Sequence, residues 1–196
     1  LAENIHLACR GWQHPLWQGS FYPDDLPADW QLSYYSNEFD AVIIPDDYWS
    51  ADTLQQELDW CEQVPPGFRF YAEWPATLDA VEVPQFCSQL EAMANNLVGV
   101  LFTEDAAMLA LQQRLPNLPC FGAQHIWLPD SLAAQPSAAP LAVLARPWRD
   151  LRELRRWLEA FAPKHGVARQ ALLCTMPHPD SEQLQQARTL LHLMGL

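Results

Sequence analysis

The chain has 196 residues, 49% of them hydrophobic, which is ample for one domain with a sizeable core. Its 11 Lys and Arg against 24 Asp and Glu give a formal charge of −13, which repels a phosphate backbone and argues against duplex nucleic acid as a partner. No window reaches the roughly 18 uninterrupted apolar residues of a membrane span, and the opening LAENIHLACRGW lacks the basic head and apolar stretch of a secretory signal, so a cytoplasmic protein is expected.

Short apolar runs alternate with longer helix-period segments, as parallel strands joined by crossover helices require. The first strand is expected at Ile5–Cys9 and the second at Ala41–Ile44, followed by the helix TLQQELDWCEQV with Ser50 and Asp52 as starting residues. The third strand reads Phe68–Glu73, and Pro84 opens the helix QFCSQLEAMANNL. Leu97–Phe102 is the fourth strand, with Asp105 preceding the helix AAMLALQQRL, and Cys120–Ala123 is the fifth. LAAQPSAAP, 132–140, is rich in Ala, Pro and Ser without period and reads as a surface connection. The sixth strand, Leu141–Ala145, leads to a helix that starts after Asp150 and ends at Gly166. The seventh, Ala171–Thr175, leads to a terminal helix begun by Asp180 or Ser181. Seven strands are one short of an eightfold barrel, so the expected fold is α/β, a shortened or distorted TIM-type barrel forming a single domain over residues 1–196.

Five cysteines, Cys9, Cys61, Cys87, Cys120 and Cys174, form no CxxC pair, and the expectation is reduced thiols, of which Cys9, Cys120 and Cys174, in apolar strand-like runs, pack as small hydrophobes. The basic run Arg146–Arg156 is broken by Asp150 and Glu153 at helical spacing and reads as an ion-paired helix face. No Gly-rich phosphate loop and no GxSxG elbow occurs.

The segment Gly11–Val42, with Gly11, Trp12, Trp17, Gly19, Phe21, Tyr22 and Pro23 in register and Trp30, Tyr34, Tyr35 and Phe39 following, resembles the YecE-like family of bacterial proteins of unknown function. Pro66, Phe68 and Phe70 extend the resemblance to this family, domain of unknown function family 72. It implies a distorted TIM-type barrel, of which this chain is a divergent member, shortened between Trp127 and Leu141. The family pattern has a glutamate and an asparagine at the end of its second strand, where this chain has Ile43 and Pro45. It has a lysine at the end of the third strand, here Glu73, and an Arg-His pair after the fifth, here Gln124 and His125, with Gly122 in place of a preceding glutamate. The resemblance thus implies a pocket whose usual charged complement has been lost.

In a β/α barrel the functional rim lies at the C-terminal ends of the strands. The candidates there are Arg10, Trp12 and His14 after the first strand; Asp46, Asp47, Tyr48 and Trp49 after the second; and Glu73 and Trp74 after the third. Glu104, Gln124, His125, Trp127, Arg146, Trp148, Thr175 and His178 complete the rim, whereas His6 and His192 read as structural or solvent-facing. Asp46, Glu73 and His125 are the candidate catalytic groups. Asp46 and Asp47 point in opposite directions if they extend a strand, so a paired-carboxylate mechanism needs Glu73. The five rim tryptophans either stack on a ligand or plug the mouth.

Two functions of different class are carried forward. One is a barrel that binds a small ligand or a protein partner at this rim, without cofactor or metal. The other is a metal-assisted hydrolase or isomerase using His14, Asp46, Glu73 and His125, although no spacing such as HExxH occurs. A third reading is a subunit of a larger assembly that covers the open edges of an incomplete barrel.

Overall fold

The computed structural model describes residues 5–55, 59–129, 139–162 and 168–196. The Gly166 helix stop, most of the LAAQPSAAP segment and the middle of the TLQQELDWCEQV helix lie outside the described residues.

Eight strands form one all-parallel sheet: β1 (His6–Arg10), β2 (Ala41–Ile44), β3 (Arg69–Glu73), β4 (Leu97–Leu101), β5 (Cys120–Phe121), β6 (Ile126–Trp127), β7 (Leu141–Leu144) and β8 (Ala171–Cys174). The helices are α1 (Gln31–Glu38), α2 (Ala51–Gln55), α3 (Glu82–Ala92), α4 (Asp105–Arg114), α5 (Leu151–Phe161) and α6 (Ser181–Met194). Strand neighbours run β5-β4-β3-β2-β1-β8-β7-β6, with β1 pairing both β2 and β8. This is the cyclic order of a TIM-type β/α barrel, nearly closed, with its seam between β5 and β6.

The seven expected strands are present with ends shifted by up to two residues, and the correction is the eighth. β6 is only two residues long, too short to show as an apolar run, and its pairing with β7 (Ile126 beside Leu141, Trp127 beside Ala142) is what reveals it. The eight strands supply the unit that the sequence count lacked, while β5 and β6 remain the two edges of the sheet. Helix α1 was likewise unmarked. Its sequence QLSYYSNE is polar and aromatic, and it buries only Leu32, Tyr35 and Ser36 on one face. Helix α3 starts at Glu82 rather than at Pro84 because Asp79 Oδ1 accepts from the N–H groups of Val81 and Glu82 while Glu82 Oε2 accepts from the Asp79 N–H.

Alternation along each strand divides the apolar residues between two layers. Ala8, Ala41, Ile43, Tyr71, Phe121, Leu141, Ala171 and Leu173 fill the barrel interior, and their strand neighbours pack outward against the helices. Small side chains at Ala8, Ala41 and Ala171 leave room for the Tyr71 ring, whose buried hydroxyl has no hydrogen-bond partner among the described residues. Gly99 lets β4 and β5 close: a Cβ there would stand 2.4 Å from the Pro119 carbonyl oxygen and 2.7 Å from the Phe121 ring.

The aromatics of the family motif build the outer layer of the β1–α1–β2 unit. Trp17, Phe21, Tyr22, Tyr35 and Phe39 pack ring on ring, with centroids 5.1 Å apart for Trp17–Phe21 and 4.8 Å for Tyr35–Phe39. Trp17 Nε1 donates to the Pro179 carbonyl at 2.7 Å, and Tyr22 Oη donates to that of Trp12 at 2.6 Å. Most of the aromatics that carry the resemblance are therefore packing residues. Trp30, 67% exposed, is not, and Gly19, Pro23 and Pro66 are exposed as well.

Candidate functional site

The phase of the interior layer decides what reaches the barrel mouth. Arg10 follows Ala8 by two residues, Glu73 follows Tyr71, and Thr175 follows Leu173, so all three side chains emerge at the C-terminal end of the interior. They line a cavity of about 540 Å³ together with Asp46, which the 3-10 turn Asp46–Tyr48 brings over the end of β2. Trp74 and Phe102 form one apolar wall, and Leu101, Ile126, Val143 and Leu173 the floor.

Gly11 makes this arrangement possible. It turns the chain off β1 at φ 75°, a conformation that favours glycine, while its N–H continues the ladder to the Ile43 carbonyl at 2.8 Å. Arg10 is thereby held at the strand end. Its Nε donates to both Glu73 oxygens at 2.9 Å, and its Nη2 reaches Asp46 Oδ1 at 2.7 Å and Glu73 Oε2 at 2.8 Å. The Asp46 N–H donates to Glu73 Oε2 at 3.1 Å, and Asp47 stands 4.0 Å from the guanidinium. Burial works against the Arg10 charge, but Glu73, then Asp46 and Asp47, outweigh it and raise the pKa above the ordinary arginine value.

Of the candidate residues, the mouth brings together Arg10, Asp46, Glu73 and Trp74. Thr175, placed on the rim, lines it as well. The other rim residues lie elsewhere. His14 packs 4.3 Å from the Trp17 ring, with Nε2 at 3.2 Å from the Gly11 carbonyl oxygen and 3.7 Å from Cys9 Sγ, and burial pushes its pKa below the usual imidazole value. His125 turns Nδ1 back to accept from the Gly122 N–H at 3.0 Å. The buried Trp49 packs against Trp60 and Phe86, and Trp127 stacks on Phe161 at 5.9 Å; Trp148 is buried in the same outer layer. Gln124 and Glu104 are exposed, and His178 lies beside Leu16 and Trp17. Trp12 and Tyr48 wall a separate, more polar crevice of about 510 Å³ with Trp60, Asp29, Asp47 and Asp59. Of the five rim tryptophans, Trp74 alone faces the mouth. Among the described residues no group of three or more His, Cys, Asp and Glu is placed to hold a metal ion.

The positions at which the family pattern is lost also have a physical place here. Ile43 is sealed in the barrel interior, and Pro45 packs beneath Gly11. At Glu73 the carboxylate is the main partner of Arg10. The apolar floor escaped the sequence reading because strand ends alone do not tell which face a residue takes. Stepping by two from Gly99, Leu141 and Ala171 gives Leu101, Val143 and Leu173 of that floor.

Arg146 belongs to a second charged cluster on the outer side. Glu153, its side chain only 5% exposed, accepts from Arg146 Nη2 at 3.2 Å, from the Arg149 N–H at 2.7 Å and from the Arg149 guanidinium, and Arg146 lies over the Trp157 ring. The Arg146 hydrogen bond first, then those from Arg149, pull the Glu153 pKa from 4.5 down to about 2. A carboxyl depressed on folding contributes stability that is present above its unfolded pKa and is lost as pH falls toward the folded one. Glu153→Gln is therefore expected to lower the denaturation midpoint at pH 7 and to flatten the acid limb between about pH 4.5 and 2, as urea titrations of both proteins across that range will show.

Fold and mouth together define a TIM-type β/α barrel with a ligand-sized cavity at the C-terminal ends of its strands. The family model described as a protein of unknown function, DUF72, matches residues 6–171, and the chain belongs to that family. Among solved structures it is similar to a DUF72 family protein from Thermotoga maritima, with a TM-score of 0.68 and 13% identity over 97% of this chain and 100% of that one. It is also similar to a DUF72 family protein from Enterococcus faecalis, with a TM-score of 0.64 and 15% identity over 96% of this chain and 95% of that one. At these identities the likeness shows the fold. No curated protein matches the sequence.

Proposed function

We propose that this chain is a small-molecule-binding barrel whose ligand seats in the mouth over β1, β3, β7 and β8. The cavity carries this reading. At about 540 Å³ it lies inside the range of small-ligand pockets, roughly 300–1,000 Å³, and it combines an apolar floor with a few convergent polar groups. The polar groups are prearranged: Arg10 and Glu73 fix one another, and the Asp46 backbone is tied to Glu73. A ligand therefore meets them without first ordering them. The alternative of metal-assisted hydrolysis draws less support, since neither His14 nor His125 lines the cavity with Asp46 and Glu73.

The test uses 2-naphthol as probe, a neutral planar molecule with one hydroxyl, in titrations followed by its fluorescence. Wild-type protein is expected to bind it saturably, and Val143→Trp, which narrows the cavity at a partly exposed lining position, to weaken binding at least about tenfold with circular dichroism unchanged. Equal affinity in the two proteins, or no saturable binding to the wild type, would overturn the proposal.

A further inference from the structure

We infer that the mouth selects molecules with a cationic head, an ammonium or amidinium, on an apolar body, and rejects carboxylates and phosphates. The inference rests on the reading of the mouth as a ligand site and specifies the chemistry it takes.

The charges that line the cavity are Arg10 against Asp46 and Glu73, a surplus of one negative charge, to which Asp47 adds from the side. The one cation is already engaged. Arg10 gives Nε to Glu73 and shares Nη2 between Glu73 and Asp46, and its side chain is 31% exposed. An anion approaching the guanidinium must come beside two carboxylates, and like charges so placed oppose binding.

A cation meets the reverse situation. Asp46 is 49% exposed, and only one of its oxygens, Oδ1, is hydrogen-bonded to a described residue, which leaves Oδ2 able to accept. Thr103 and Thr175 add hydroxyls that accept as readily as they donate. The Trp74 ring, stacked on Phe102 at 5.3 Å, adds apolar lining beside these groups. Below the head, Leu101, Ile126 and Val143 provide a surface on which an apolar body gains by leaving water. The formal charge of −13 on the chain acts in the same direction at longer range.

Three probes with one body and different heads test this: 2-naphthylmethylamine, 2-naphthol and 2-naphthoate, titrated at pH 7 and low salt. The amine is expected to bind about tenfold more tightly than the alcohol, and the carboxylate more weakly than either. Asp46→Asn should remove most of the amine's advantage over 2-naphthol measured in the same variant, and Glu73→Gln should raise the affinity for 2-naphthoate by releasing Arg10. Asp46 is half exposed, so its variant keeps the test available should Glu73→Gln fold poorly. An amine no tighter than the alcohol, or an advantage that survives in Asp46→Asn, would refute the cationic assignment while leaving the ligand site standing. Absence of saturable 2-naphthol binding to the wild type, or indifference of all three probes to Val143→Trp, would remove the site itself.

Discussion

Trp17→Ala is expected to destabilise the protein by about 3–5 kcal/mol, the range for truncating a buried aromatic side chain. Trp17 is 1% exposed and touches the rings of His14, Phe21, Tyr22 and Tyr35, so the void is lined on several sides by groups that the strands and α1 hold in place. The substitution also strips the Pro179 carbonyl of its Nε1–H donor, a contact that joins the β1 loop to the start of α6 across 162 residues of sequence. Urea denaturation followed by circular dichroism measures the loss. Trp17→Phe keeps most of the packing and should recover more than half of it. A loss below about 1 kcal/mol for Trp17→Ala would mean that the layer collapses into the space and that the family motif is not the clamp described here.

The second large effect is expected from a single oxygen. Tyr35 is fully buried, and its hydroxyl accepts from the Cys9 N–H at 3.3 Å and donates to the Ala41 carbonyl at 2.9 Å, bridging β1 to β2 from the helix side. Burial pushes the phenol pKa well up, so the proton stays in place across the accessible pH range. Tyr35→Phe keeps the ring and its contacts but leaves two buried backbone groups without this partner, at a cost of about 1–3 kcal/mol. Equilibrium denaturation will show the loss, and amide hydrogen exchange at Cys9 should quicken more than exchange in β7. Unchanged stability would show that the ladder hydrogen bonds alone satisfy those groups.

Much of the fold could be read directly. β2 was legible to the residue because AVII is β-branched, apolar and bounded by Asp40 and Pro45, and the remaining six expected strands came from the same contrast between apolar runs and turn or cap residues. Caps at Ser50, Asp150 and Asp180 were legible because a side-chain oxygen ahead of a periodic segment is a local signal, and each accepts a helix N–H in the structure. β6 and α1 carried no such signal. Two residues define no period, and α1 owes its helix to the barrel wall that its Leu32 and Tyr35 pack against.

The candidate site was legible in its charged half. Arg10, Asp46 and Glu73 stand at strand ends, and strand ends gather at one mouth whenever parallel strands close into a ring. The aromatic half was misplaced, because nearness to a strand end says nothing about side. Ile126 and Trp127 are adjacent, yet the first lines the cavity and the second stacks on Phe161 outside the barrel.

The sequence alone determined the β/α alternation, the acidic charge, the family and the strand ends that supply the mouth, all of them properties of local order along the chain. The tertiary structure alone decided that the ring has eight strands, that Arg10 binds Glu73 across 63 residues and Asp46 across 36, and that most rim tryptophans are packing. Each of those depends on which strand lies beside which and which face turns inward, and neither is a property of any segment by itself.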